Sequence, residues 1–114
     1  MKIAFVVNHD LGMSKGKIAA QVAHCMMGLA QQNASIERFQ EWKKLGGAIV
    51  VLKCANSEDM NHKYEECLHD PWIPCHGVFD AGLTQVESGS FTVFGIGPMS
   101  NKKVDTVIKD CKLL

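Results

Sequence analysis

Residues 3–24, "IAFVVNHDLGMSKGKIAAQVAH", change their hydrophobic period once. Ile3 to Val7 form an unbroken apolar run, which reads as a strand buried on both faces, and "NHDLGMS" then turns polar. A helical pattern begins near Gly16, with Ser14 as its expected N-cap. Ile18, Val22, Cys25 or Met26, and Leu29 recur on one helix face, predicted to point inward, with Ala19, Ala20 and Ala23 small enough for close approach to a sheet. Strand, turn and helix together are the building unit of an α/β layer.

The same reading extends along the chain. "SIERFQEWKKLG" predicts a second helix, capped by Ser35 and ended by Gly46 and Gly47. "AIVVLK" reads as a buried strand. "NSEDMNHKYEECLH" opens with two possible caps followed by acids, the charge a helix start favours, and "DPWIP" breaks it. A third strand is expected at about His76 to Phe79, and a fourth over "FTVFGIG". Between them runs "DAGLTQVESGS", Asp80 to Ser90, longer than a tight hairpin requires, and loops of that kind often carry function. Ser100 should cap a last helix with Val104, Val107 and Ile108 inward. The resulting order, βααβαββα, has no repeat and no linker, so residues 1–114 are expected to form one α/β domain with helices covering a sheet of mixed direction.

Composition narrows the function classes. Apolar residues make up 46% and charged residues 21% of the chain, so it can bury a core and does not read as disordered. The N-terminal apolar run is too short for a signal peptide or membrane span, which predicts a cytoplasmic protein with no membrane partner. Five cysteines without a C-x-x-C pair argue for reduced thiols rather than a secreted disulfide framework. Twelve basic residues balance twelve acidic ones, so any attraction to nucleic acid must come from a local patch.

"GMSKGK" invites a phosphate-loop reading, which counting rejects. Gly12 and Gly16 stand one residue too close, and Ile18 occupies the position where a hydroxyl would help hold magnesium. What remains is a helix start bearing Lys15 and Lys17, cations that oppose the macrodipole and therefore hint at an anionic ligand. Lys17, Gln21, His24 and Gly28 form a polar stripe along that helix, either a wet face or the wall of a site. Asp10 and Asp80 each stand just past a strand, where α/β sheets place ligands, and an antiparallel return would bring Thr92 close to Asp80, with Thr84 in the intervening loop. Each residue also has a plain structural reading: Asp80 before Gly82 is ordinary turn chemistry, and Thr92 suits a strand. His62, Cys67, His69, Cys75 and His76 cluster in sequence, but their spacing matches no zinc pattern, so no metal site is expected.

"DLGMSKGKIAAQVAH" and "DAGLTQVESGSFTVFGIGP" together resemble the two signature stretches of the type 2 peptidyl-tRNA hydrolases of archaea and eukaryotes. The resemblance runs from Ile3 to the final "KLL" and is weakest from about Cys54 to Cys75. It implies a single three-layer α/β domain, with a four-stranded mixed sheet and helices on both faces. It implies a cytoplasmic homodimer that hydrolyses the ester joining a peptide to the terminal ribose of tRNA, with no metal or organic cofactor. The family's functional lysine matches Lys17, its aspartate Asp80 and its threonines Thr84 and Thr92. Asp10, Gln21 and His24 fall on other recurrent positions, and with Lys15 they are the expected contacts to the tRNA end.

The chain departs from the family pattern at Asn8, where arginine is usual, and at Leu83, where a basic residue is usual. Cys25 and Ser88 replace the more frequent alanine and proline. Two cations near the site are thereby missing, which bears on tRNA affinity more than on the chemistry. Two other classes fit less of the sequence: a protein-interaction module that keeps the fold, and a hydrolase of another acylated small molecule.

Overall fold

Strand β1 (Lys2–Val7) occupies the middle of the sheet, and Ile3 to Val7 are each at most 1% exposed. Burial on both faces is why this strand reads as a continuous apolar run rather than an alternation. In the computed structural model, which describes residues 1–33, 36–82 and 86–114, β1 pairs in parallel with β2 (Ile49–Lys53) and antiparallel with β4 (Phe91–Met99). Strand β3 (Cys75–Phe79) closes one edge against β4. The other edge is closed by β5 (Lys112–Leu113), antiparallel to β2, giving the order β3-β4-β1-β2-β5.

Among the described residues the sheet therefore has five strands, not the expected four, and the chain order is βααβαββαβ. Strand β5 was invisible to periodicity because two exposed residues cannot show an alternation; backbone bonding to the free edge of β2 makes the strand.

Helices cover both faces, as the alternation of side chains along β1 requires. On one face Ile3, Phe5, Val7 and Val93 pack against Cys25 and Leu29 of α1 (Lys15–Asn33) and Trp42 of α2 (Glu37–Lys44). On the other, Ala4, Val6, Phe94 and Ile96 pack against Met60 and Cys67 of α3 (Ser57–Leu68) and Val104 and Ile108 of α4 (Asn101–Ile108). Three layers result. Three helix starts are satisfied by side chains: Ser14 Oγ accepts from Lys17 N at 3.2 Å, Asn56 Oδ1 from Asp59 N at 2.8 Å and Ser100 Oγ from Lys103 N at 3.2 Å. The expected cap at Ser35 lies outside the described residues.

The inward face of α1 carries the expected Ile18, Val22, Cys25, Met26 and Leu29, but it extends further to one side than expected. Ala19, Ala20 and Ala23 are exposed, whereas Gln21 and Gly28, placed by sequence on the polar stripe, are buried. Gly28 sits against the imidazole of His76 on β3, so close that a Cβ there would lie 2.2 Å from the ring. The ring fills the notch left by the missing side chain. Gly28→Ala should therefore cost about 1–3 kcal/mol through overpacking. Urea melts will show this as a lower midpoint at unchanged slope, and the loss should shrink when Gly28→Ala is made together with His76→Ala.

Candidate active site

The carboxyl ends of β1 and β3 and the start of α1 meet at one end of the sheet. Past β1 the chain makes a single 3-10 turn, His9–Leu11, and leaves it through Gly12 in the left-handed region (φ 62°). That turn sets up Ser14 as cap and delivers Lys17 in the first turn of α1. Past β3, Asp80 opens the loop: its N–H donates to Ser90 O at 2.8 Å and its carbonyl accepts from Gly89 N at 2.7 Å.

Lys17 and Asp80 meet there as an ion pair, Nζ to Oδ1 at 2.6 Å, with side chains only 10% and 7% exposed. Gln21, one turn further along α1, donates through Nε2 to the same Oδ1 at 2.7 Å. The other oxygen, Oδ2, accepts from Gly82 N at 2.7 Å. This last contact is the turn chemistry expected of an Asp two residues before a glycine. Gly82 adopts φ 77°, and an added Cβ would come within 2.6 Å of Ser88, so the N–H can be aimed only from a residue without a side chain.

Hydrogen bonding from Lys17 and from the Gly82 amide holds the Asp80 carboxyl below its ordinary value, outweighing the opposite effect of burial; the Lys17 charge and the Gln21 amide add to the lowering. The group is a carboxylate at neutral pH. Gln21 Oε1, in contrast, is buried with no hydrogen-bond partner among the described residues. That amide is held for what its Nε2 does to Asp80, at the expense of its own acceptor.

The remaining expected residues divide. Thr92 is fully buried and donates its hydroxyl to Val78 O at 3.2 Å. It is the extra residue where Phe79 and Val78 pair with Phe91 and Val93, a bulge of the kind that re-aims side chains beside sites. Lys15 and His24 are exposed on α1. Thr84, like Leu83, lies outside the described residues. Asp10 is not joined to the pair: its Oδ2 accepts from Ser57 N at the start of α3, at 2.8 Å.

Sequence reasoning missed the importance of Asn8, which it treated as an absent cation. Asn8 is 7% exposed, donates to Phe91 O at 2.9 Å and accepts from Ser57 Oγ at 2.9 Å. It clips β1 to β4 and to the start of α3; the signal available in the sequence was only an uncharged polar residue directly after the apolar run of β1. The histidines and cysteines between positions 62 and 76 are dispersed: Cys67 is in the core, His62 faces Glu66 at the surface and His76 packs on α1.

The family model for the peptidyl-tRNA hydrolase PTH2 matches residues 1–114. The chain belongs to that family. Among similar archaeal proteins, the peptidyl-tRNA hydrolase of Sulfolobus acidocaldarius is 40% identical, with all of both chains covered. That of Methanopyrus kandleri is 40% identical over 99% of this chain and 97% of its own, and one from Methanococcus maripaludis is 39% identical over 97% of each. The match thus spans both the start of α1, which carries Lys17, and the loop opened by Asp80.

Because its folded pKa is depressed, Asp80 contributes stability that is present above its unfolded value and lost as pH falls through the lower folded value. Replacing the largest cause should reverse this: in Lys17→Met the Asp80 carboxyl, followed by carbon-detected NMR, will titrate at higher pH than in the parent. Asp10→Ala should cost about 0.5–2 kcal/mol, as loss of a helix-start acceptor does, read from the denaturation midpoint.

Proposed function

We propose that the buried Lys17–Asp80 pair is the reacting centre for the peptidyl-tRNA hydrolysis that belongs to this family. The reaction cleaves the ester between a peptide and the terminal ribose of tRNA and frees the tRNA for reuse. Asp80 holds the attacking water, and the ammonium of Lys17 faces the carbonyl oxygen as it gains negative charge. The water oxygen bonds to the carbonyl carbon, the ester C–O bond breaks and the ribose oxygen takes up a proton. Thr92 or Thr84 supplies a further hydrogen bond to the oxyanion; for Thr92 this requires its hydroxyl to turn from Val78 O. No metal or organic cofactor enters this scheme.

The observation that carries the reading is the 2.6 Å contact between an ammonium and a carboxylate that are both almost removed from water. A lysine kept for surface phosphates would stand free in solvent. The carboxylate's lowered pKa favours a role in orienting water over one as a strong base. Around the pair, exposed Lys15 and His24 on α1 meet the tRNA end, with Gln21 behind them; Asp10 acts from outside, through its hold on Ser57. Asn8 is committed to Phe91 O and Ser57, so it adds nothing to phosphate binding, and Lys15, Lys43, Lys44, Lys102 and Lys103 are the available cations. The enzyme works in the cytoplasm, where translation supplies its substrate, and as a homodimer that brings two such faces into one assembly.

With N-blocked peptidyl-tRNA as substrate, Lys17→Ala and Asp80→Asn should each lower kcat and kcat/KM together by about 10²–10³-fold, the loss typical of an oxyanion contact. A rise in KM at unchanged kcat would make Lys17 a phosphate ligand instead. Absence of turnover by a well-folded parent would leave a protein-interaction module, and equal turnover of a short peptidyl-nucleotide ester at any salt would point to a small acylated substrate.

A further inference from the structure

Away from the reacting centre, two thiols face each other at the end of the β2–β5 ladder. The ladder pairs Leu52 with Leu113 and Lys53 with Lys112, and one further rung of that antiparallel register sets Cys54 opposite Cys111. Their Sγ atoms lie 3.5 Å apart, although 57 positions separate them in the chain. Side chains directly opposed across an antiparallel pair have Cβ atoms about 4.5–5.5 Å apart, close to the 3.5–4.5 Å of a disulfide, so joining them needs a small closing movement and no rearrangement of the sheet.

We propose that Cys54 and Cys111 are a site of reversible oxidation by hydrogen peroxide, forming a disulfide that fastens β5 to β2. Cys111, the less buried thiol, reacts first. Its sulfur attacks one peroxide oxygen; the S–O bond forms as the O–O bond breaks, leaving a sulfenic acid and releasing water. The Cys54 sulfur then attacks that sulfur, the S–S bond forms as the S–O bond breaks, and the departing hydroxide leaves as water with the Cys54 proton. Two thiols are oxidised by two electrons and one peroxide is reduced to two waters; an external thiol reverses the change.

A cavity of about 290 Å³ lined by Cys54 and by Asp110 and Lys112, the residues on either side of Cys111, brings a small oxidant beside the pair. Burial, and after it the hydrogen bond with Cys111, pushes the thiol of reduced Cys54 up to about 12, consistent with Cys54 being the second of the two to react. Cys25 is differently placed, donating its thiol to His76 O at 3.2 Å inside the α1 core. The strand being fastened needs it: β5 has two residues, both exposed.

The experiment is peroxide treatment of the purified chain, alkylation of remaining thiols, peptide mapping by mass spectrometry and a thermal melt. The expected result is a linked peptide pair containing Cys54 and Cys111 and a Tm raised by about 10 °C, both undone by dithiothreitol. Cys111→Ala should melt like the reduced parent and show no rise; if that variant fails to fold, the map and melts of the parent decide alone. Recovery of both cysteines alkylated, over-oxidised or joined to other partners overturns the proposal, as does a linked pair whose Tm does not rise.

Discussion

The ammonium of Lys17 and the carboxylate of Asp80 are almost out of water, and neither can be kept there without the other. An unpaired buried charge is costly, whereas a paired one whose remaining lone pairs are satisfied can be held. The local structure at this end of the sheet follows from that requirement. The turn after β1 must deliver the start of α1, Gln21 must lie one turn behind Lys17, and the loop after β3 must fold back so that Gly82 presents its amide. Gly12, Gly82 and Gly89, all with positive φ, are points where the backbone bends to allow it.

A second set of polar contacts holds the frame around the pair. Asn8 bonds to Phe91 O and Ser57, and Asp10 to the amide of Ser57, so β1, β4 and α3 are joined directly beside the turn that leads to Lys17. Read by analogy, Asn8 looked like a missing cation. Its burial shows that the position carries a structural load, and a charged side chain there would need a different set of partners. The cost of the exchange falls on long-range attraction to tRNA phosphates, which a chain of zero net charge has little means to replace.

The sequence disclosed the parts whose signal is carried by side chains. The apolar run of β1, the caps at Ser14, Asn56 and Ser100 and the glycine stop after α2 all appear where their chemistry placed them. On α1 it placed Ile18, Val22, Cys25 and Leu29 inward correctly but set the small alanines, rather than Gln21 and Gly28, beside them, because alanine has no side-chain preference strong enough to set the exact rotation. His76 packing into Gly28 and Asp80 drawing in Gln21 set it instead, and both partners come from β3 and its loop. Strand β5 failed for the complementary reason: it exists through main-chain pairing alone. For the site, proximity of Lys17 to Asp80 follows only from the fold, which local spacing could not supply across 63 positions; the family resemblance supplied it.

In the proposed reaction, the state of Asp80 bears on where the barrier is lowered. A carboxylate stabilised by an ammonium, a backbone amide and a glutamine amide is a weak proton acceptor, because each of those donors favours the charged form it already has. The same donors fix its orientation, so a water bonded to it has one direction of approach. The ammonium is then the group with most to gain: as charge builds on an ester oxygen nearby, Lys17 can shift its attraction from a carboxylate held by two other donors to the new oxyanion. Gln21 and the Gly82 amide keep Asp80 satisfied during that exchange, which gives the glutamine's uncompensated acceptor a purpose. Under that proposal the donors around Asp80 are in place before the substrate arrives, as electrostatic catalysis in a pre-formed site requires.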